Sequence, residues 1–308
     1  MAVKMLNIIT MFDGINSSLN STVSYMQLLT ETQNSVQTSL DTNLRVNKAT
    51  DDVNAYMTRE EFSSKTSEID SAQESLALGI QLVKSTDSAT DSISSYLSSM
   101  KSLVESAMDE TDSDSRAALA EKFNDIASQV MSIAKEADYG SMNLLYSDEE
   151  GAQEDAKISS VGTDYITLPA SNFQSDENSL SYTTTINGTE KTISIALSGD
   201  DSTNGQVDWS ADDYKDQLET VLENIENMDD ELDLYNNRLG NAGVSLELRE
   251  SYNKEVISNY ESVSEDLTIA DLNEEAASLL AVQTAQELSV KVISAASNIS
   301  DMRLNMLR

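Results

Sequence analysis

From Tyr214 to Leu267 the apolar positions advance by alternating steps of four and three. The series is Tyr214, Leu218, Val221, Ile225, Met228, Leu232, Tyr235, Leu239, Ala242, Leu246, Arg249, Asn253, Val256, Tyr260, Val263 and Leu267, and only Arg249 and Asn253 are polar. Such a stripe runs along one side of a helix and needs a partner helix to cover it. At about 1.5 Å per residue the predicted helix is roughly 80 Å long. A second stripe holds Ala281, Ala285, Leu288, Val292, Ala295, Ile299, Met302 and Met306. A third holds Phe12, Ile15, Leu19, Val23, Met26, Leu29, Val36, Leu40 and Leu44. Between these, Phe62, Ile69, Leu76, Val83 and Leu97 keep a near seven-residue spacing. They predict another long helix, from the cap-type residues Asn47–Asp52 to about Met108. The polar run Asp109–Ser115 breaks it, with Asp112 and Asp114 as cap residues. A shorter helix follows, with Leu119, Phe123, Ile126, Val130 and Ile133 on one face, stopping near Gly140 in a left-handed turn. The predicted fold is mainly α: a long antiparallel helical bundle or coiled coil built from both chain ends.

The pattern changes over residues 147–209, where heptads stop and Ser, Thr, Asp, Asn and Gly dominate. Leu180–Ile186 and Thr192–Leu197 flank Asn187-Gly188, a strong hairpin signal. Ile158–Val161 and Tyr165–Leu168 are weaker strand candidates. About 60 residues cannot build a large core of their own but can supply strands packed on helices. Ser210 is placed as the cap of the long helix that follows.

Composition narrows the function. The 308 residues hold 54 acidic and 19 basic side chains, a net charge of −35. No basic patch can replace the counterions of a nucleic acid or an anionic membrane, so neither is expected as a partner. The acidity reads as a self-repelling, solubilising surface. There is no His and no Cys, which removes Ser–His, Cys–His and His-zinc chemistry. No catalytic, metal or cofactor site is expected, and the chain is not read as an enzyme. No apolar run is long enough to span a membrane. Met1–Thr10 lacks an apolar core followed by a small-residue cleavage site, so export is expected to proceed without a cleaved signal. One Pro suits uninterrupted helices. The N-terminal stripe is rich in Ser, Thr and Asn, which favour caps over helix interiors, so residues 1–44 are expected to order only when covered.

Two local features stay outside this pattern. The run Gly199–Gly205 has the look of a calcium loop but lacks the bidentate Glu and is read as an acidic turn. Gly240 and Gly243 interrupt the best helix, each at about 1 kcal/mol. They mark either a local kink or a turn between two helices, or the close approach of a neighbouring subunit's backbone.

Three segments resemble one family. Leu44-Arg45-Val46-Asn47-Lys48-Ala49-Thr50-Asp51-Asp52 resembles the Leu-Arg-Ile/Val-x-x-Ala-x-Asp-Asp signature of bacterial flagellins. Asp271–Leu279, with Glu275 inside it and Val282–Leu288 beyond, is similar to the flagellin C-terminal segment. Asp138–Leu145 is similar to the stretch that ends the family's N-terminal helices. The spellings lean towards alphaproteobacterial flagellins. The resemblance implies a filament subunit for swimming motility, secreted through the flagellar type III export apparatus and located in the extracellular filament. It implies an inner core from 1–45 and 268–308, an outer core from 46–146 and 210–267, and a variable surface region over 147–209. Subunit packing in the inner core would use Phe12, Ile15, Leu19, Val23, Met26, Leu40, Leu288, Val292, Ala295, Ile299, Met302 and Met306. Partners would be copies of the same chain, an export chaperone on the C-terminal segment, and the hook-associated junction and cap proteins. The junction protein itself shares both terminal signatures and is the alternative identity. Many flagellins place an Arg on the outer-core helix where Toll-like receptors bind. This chain has Ser99 there, four residues before Leu103, which implies weak or absent receptor recognition.

Overall fold

The computed structural model describes residues 2–148, 151, 153–186, 188–199, 206–211 and 213–306. Among these the order is α1 (Ala2–Thr42), α2 (Val53–Asp109), α3 (Ser113–Glu136), β1 (Ala156–Ser159), β2 (Tyr165–Leu168), β3 (Ser171–Ser175), β4 (Ser179–Ile186), β5 (Thr189–Ala196), α4 (Tyr214–Thr268) and α5 (Leu272–Met306). The mainly α architecture with a small strand region in its middle is the predicted one. Two compact units divide the chain: residues 1–65 with 258–308, and residues 66–257.

In the first unit α1 and α5 run antiparallel. Gln286 Nε2 donates to Gln33 Oε1 at 2.9 Å, and Leu44 forms an antiparallel bridge with Ile269. Leu29, Val36 and Ser39 of α1 are buried, and Leu19, Met26 and Leu40 are half-buried. The Phe62 ring stacks on Tyr260, centroids 4.9 Å apart.

In the second unit the predicted α4 stripe is the core. Tyr214, Leu218, Val221, Ile225, Met228, Leu232, Tyr235, Leu239 and Leu246 are all buried. They meet Leu76, Leu82, Ile93, Leu97, Met100 and Val104 of α2. Ser94 Oγ donates to Asp229 at 2.7 Å, and Lys101 Nζ to Glu226 at 2.7 Å. As one helix number rises the other falls, so α2 and α4 are antiparallel. The glycines do not break α4, which runs continuously past both. A Cβ on Gly243 would lie 3.0 Å from Val83 Cγ1, whereas one on Gly240 would meet nothing within 4 Å. The turn reading therefore fails. Gly243 admits the chain's own α2 at close range.

Asp112 caps α3, its carboxylate accepting from the Ser115 amide at 2.9 Å and hydroxyl at 2.8 Å. The buried row of α3 is Arg116, Ala120, Phe123, Ala127, Val130, Met131 and Ala134, with Leu119, Ile126 and Ile133 at its margins. Two expected boundaries move. The helix stops at Glu136, and Gly140 (φ +60°) with Ser141 (φ +72°) forms a tight turn beyond it. Ser210 does not cap α4, which begins at Tyr214; its amide bonds the Asp208 carboxylate at 2.8 Å.

The strands pair as expected around Asn187-Gly188, with Gly188 at φ +77°. β1 and β2 form a separate antiparallel pair, Ile158 opposite Ile166. The sheet order β3-β4-β5 contains one strand the pattern does not predict. β3 reads Ser-Asn-Phe-Gln-Ser and has a single apolar side chain. Its outer edge is satisfied by the chain at 144–145: Ser171 N and Phe173 N donate to Leu144 O and Leu145 O, both at 2.8 Å. Phe173 packs on Tyr182 at 4.6 Å, and Trp209 on Phe123 at 5.2 Å. The calcium-like run lies largely outside the described residues.

Candidate assembly surface

The signature residues near 44 and 271 converge on one structural joint. After α1 the chain turns at Asn43, a non-glycine residue in the left-handed region at φ +58°. It then runs beside the α4–α5 connection: Arg45 N donates to Thr268 O at 2.7 Å and Ala270 N to Asn43 O at 3.0 Å. The Arg45 guanidinium reaches Leu267 O at 3.0 Å, satisfying a carbonyl left open where α4 ends. Val46 is fully buried. Asp51 folds the turn, accepting from Asn47 N at 3.0 Å and Lys48 N at 2.9 Å. Asp52 caps α2 through Asn54 N and Ala55 N, both at 3.0 Å. Asp271 caps α5 through Asn273 N at 2.9 Å and Glu274 N at 3.3 Å. The motif is thus a set of caps and turns holding two connections side by side. Glu275 and Leu279 lie half-buried on α5.

Away from this joint, the stripe predicted on α5 is not the one its own chain covers. Buried or half-buried are Ser278, Val282, Ala285, Gln286, Ser289, Ile293 and Ala296, a row displaced around the helix that shares only Ala285 with the predicted stripe. The predicted residues Leu288, Val292, Ile299 and Met302 are about half exposed, between 46 and 59%. Ala281 and Ala295 are exposed as well. The sequence pattern picks out the most apolar row, but the covered row mixes Val282 and Ile293 with Gln286 and the buried Ser289, against Leu29, Val36, Gln33 and Ser39 of the first unit. On α1, Val23, Tyr25 and Leu28 are likewise exposed. The side chains of Phe12, Ile15 and Met306 lie outside the described set. These outward apolar rows are left uncovered, and burying such groups is worth about 25 cal/mol per Å².

Residues 15–149 match the sequence profile of the bacterial flagellin N-terminal helical region. Over that stretch, a little under half of its length, the chain is similar to bacterial flagellins. No curated protein matches it in full-length comparison. The flagellin match begins inside α1 and runs through α2, α3 and the turn at 139–142, so it covers both the N-terminal signature and one side of the joint. Flagellin-type chains are structural proteins of the flagellar filament and polymerise with themselves outside the cell. None of the described helices is long and apolar enough to cross a membrane.

Proposed function

We propose that this chain is the repeating filament subunit, with the outward apolar rows of α1 and α5 as its principal assembly surface. The observation that carries this is Leu288, Val292, Ile299 and Met302, which stand exposed on a helix whose polar row is already paired. In this reading residues 1–45 and 268–308 form an inner core around the filament channel. Residues 46–146 and 210–267 form an outer core, and 147–209 face outwards. The chain leaves through the type III export apparatus with a chaperone on its C-terminal segment, and meets the hook-associated junction and cap proteins at the filament's ends.

Seeded elongation tests this. Purified full-length chain should extend filament seeds without limit, and Val292→Asp or deletion of 300–308 should abolish extension while leaving the thermal unfolding of residues 66–257 unchanged. Addition of only a few copies per seed would instead favour the junction protein. Normal elongation by both variants would sink the assigned surface. In the same reading Ser99, exposed and hydrogen-bonded only along its own helix to Ser95 O at 3.0 Å, offers no guanidinium to a Toll-like receptor. Receptor signalling is expected to be weak and to rise in Ser99→Arg; full potency of the parent chain in reporter cells would contradict it.

A further inference from the structure

A groove of 720 Å³ opens between the β1–β2 hairpin and α4, lined among others by Ser160, Asp164, Tyr165, Leu248, Arg249 and Tyr252. Three of these apolar or aromatic side chains are more exposed than buried: Tyr165 and Tyr252 at 56% and Leu248 at 67%. Val244, one turn before Leu248, is exposed too. Arg249 stands between them at the point where the α4 stripe loses its apolar character. Its Nε–H is shut away from solvent with no acceptor. Its terminal nitrogen comes only within 3.8 Å of the largely exposed Asp164 carboxylate, and its guanidinium carbon lies 5.6 Å from the Tyr252 ring centroid. Tyr and Arg grouped in this way around an open groove are the side chains that dominate binding energy at protein interfaces.

We infer that this groove receives a carboxylate-bearing helix face of a second copy of the chain, with Arg249 as the anchor and Tyr165, Leu248 and Tyr252 closing over it. The occupant follows from charge. With 54 acidic side chains against 19 basic ones, another copy is rich in carboxylates, and a partly exposed guanidinium held no closer than 3.8 Å to Asp164 is the scarce complement to them. A concave groove cannot fill itself, so the contact joins unlike faces of the two copies. Repeated, a contact of this kind gives a ring or an open helical series instead of a two-fold dimer, and the filament reading selects the open series. The inference rests on the filament reading and adds a contact at a different place from the rows on α1 and α5.

Photocrosslinking tests it on the full chain, with Tyr252 replaced by benzoylphenylalanine and Leu248→Asp and Arg249→Glu as companion variants. Illumination of seeded filaments should link position 252 to an acidic helix of another copy, and unassembled chain should give no such link. Both companion variants should raise the critical concentration for elongation at least tenfold. Leu248 is exposed, so Leu248→Asp should do so without any change in unfolding temperature. Normal filaments with no intermolecular link at 252 and parent-like elongation of Leu248→Asp would overturn the groove contact and leave the filament reading intact. Links to a different protein would overturn it as well. A parent chain that extends no seeds would remove the filament reading, and this contact with it.

Discussion

Arg116 is 5% exposed at the start of α3 and answers several carbonyls at once. Its Nε donates to Trp209 O at 2.7 Å, one terminal nitrogen to Thr111 O at 3.0 Å, and the guanidinium lies 3.9 Å from the Tyr214 ring centroid. One side chain thereby ties the α2–α3 break to the segment entering α4. Arg116→Met should cost about 3 kcal/mol, because the carbonyls stay buried without their donor. Arg116→Lys should recover only part of this, since a point charge cannot span the fork. Urea unfolding of the variants gives the numbers, and a loss under about 1 kcal/mol for Arg116→Met would refute the assignment. Nothing in the local pattern marks Arg116: a lone cation after Asp-Ser-Asp-Ser looks like surface until the distant carbonyls are in place. Tyr182 is a second case. It is buried, and burial pushes its pKa up to about 12, outweighing the opposing influence of the Ser171 and Thr184 hydroxyls beside it. Burial raises Tyr235 as well. The folded chain therefore holds these protons more tightly than an unfolded tyrosine, which ionises near pH 10. The Tyr182 contribution is complete below about pH 10 and is lost as pH climbs from there through about 12. Tyr182→Phe should leave stability at pH 7 unchanged or slightly higher and make the alkaline decline shallower. Urea midpoints between pH 8 and 12 decide it; an unaltered alkaline slope would count against the burial argument.

Whole helices were legible where their apolar row is also the row the chain itself buries. On α4 nine predicted positions from Tyr214 to Leu246 are core, because α2 and α3 cover that side. On α5 the same rule selects Leu288, Val292, Ile299 and Met302, which the chain leaves open. Periodicity reports which face wants covering and is silent on who covers it. β3 escaped notice for a related reason: its stability comes from backbone bonds to β4 and to 144–145, which side-chain alternation does not encode. The helical glycines divide by the same physical test. A Cβ on Gly79 would sit 3.0 and 3.1 Å from the Ile158 side chain and 3.3 Å from Leu246 Cδ1. Gly79→Val should therefore push the β1–β2 pair off α2 and cost about 2 kcal/mol. Gly240 faces open space, and Gly240→Ala should stabilise by about 1 kcal/mol, or roughly 2–4 °C in unfolding temperature. Calorimetry of the two variants should show shifts of opposite sign; a shared sign would refute the packing distinction.

Across the whole molecule, the resemblance at 44–52 and 271–279 located the joint, but spacing alone could not show that these two segments are partners. Asn43, Arg45, Leu267, Thr268 and Ala270 meet only when residues 225 positions apart, Leu44 and Ile269, are brought together. That separation has a kinetic consequence. Closing a flexible loop costs about (3/2)RT ln n, and contacts of great sequence separation form late. The bonds within residues 66–257 span shorter stretches, 135 positions for Ser94–Asp229 and few within the sheet, and once they exist the chain joining the two segments is effectively shortened. A chain that starts extended should therefore complete residues 66–257 first and bring α1 against α5 afterwards. Trp209, the single tryptophan and 1% exposed, reports the first event; a donor–acceptor dye pair on α1 and α5 reports the second. In refolding by dilution from urea the tryptophan signal should lead, and simultaneous or reversed phases would contradict the order. A late-closing pair of ends stays available, during that interval, to the ends of the copy that arrived before it.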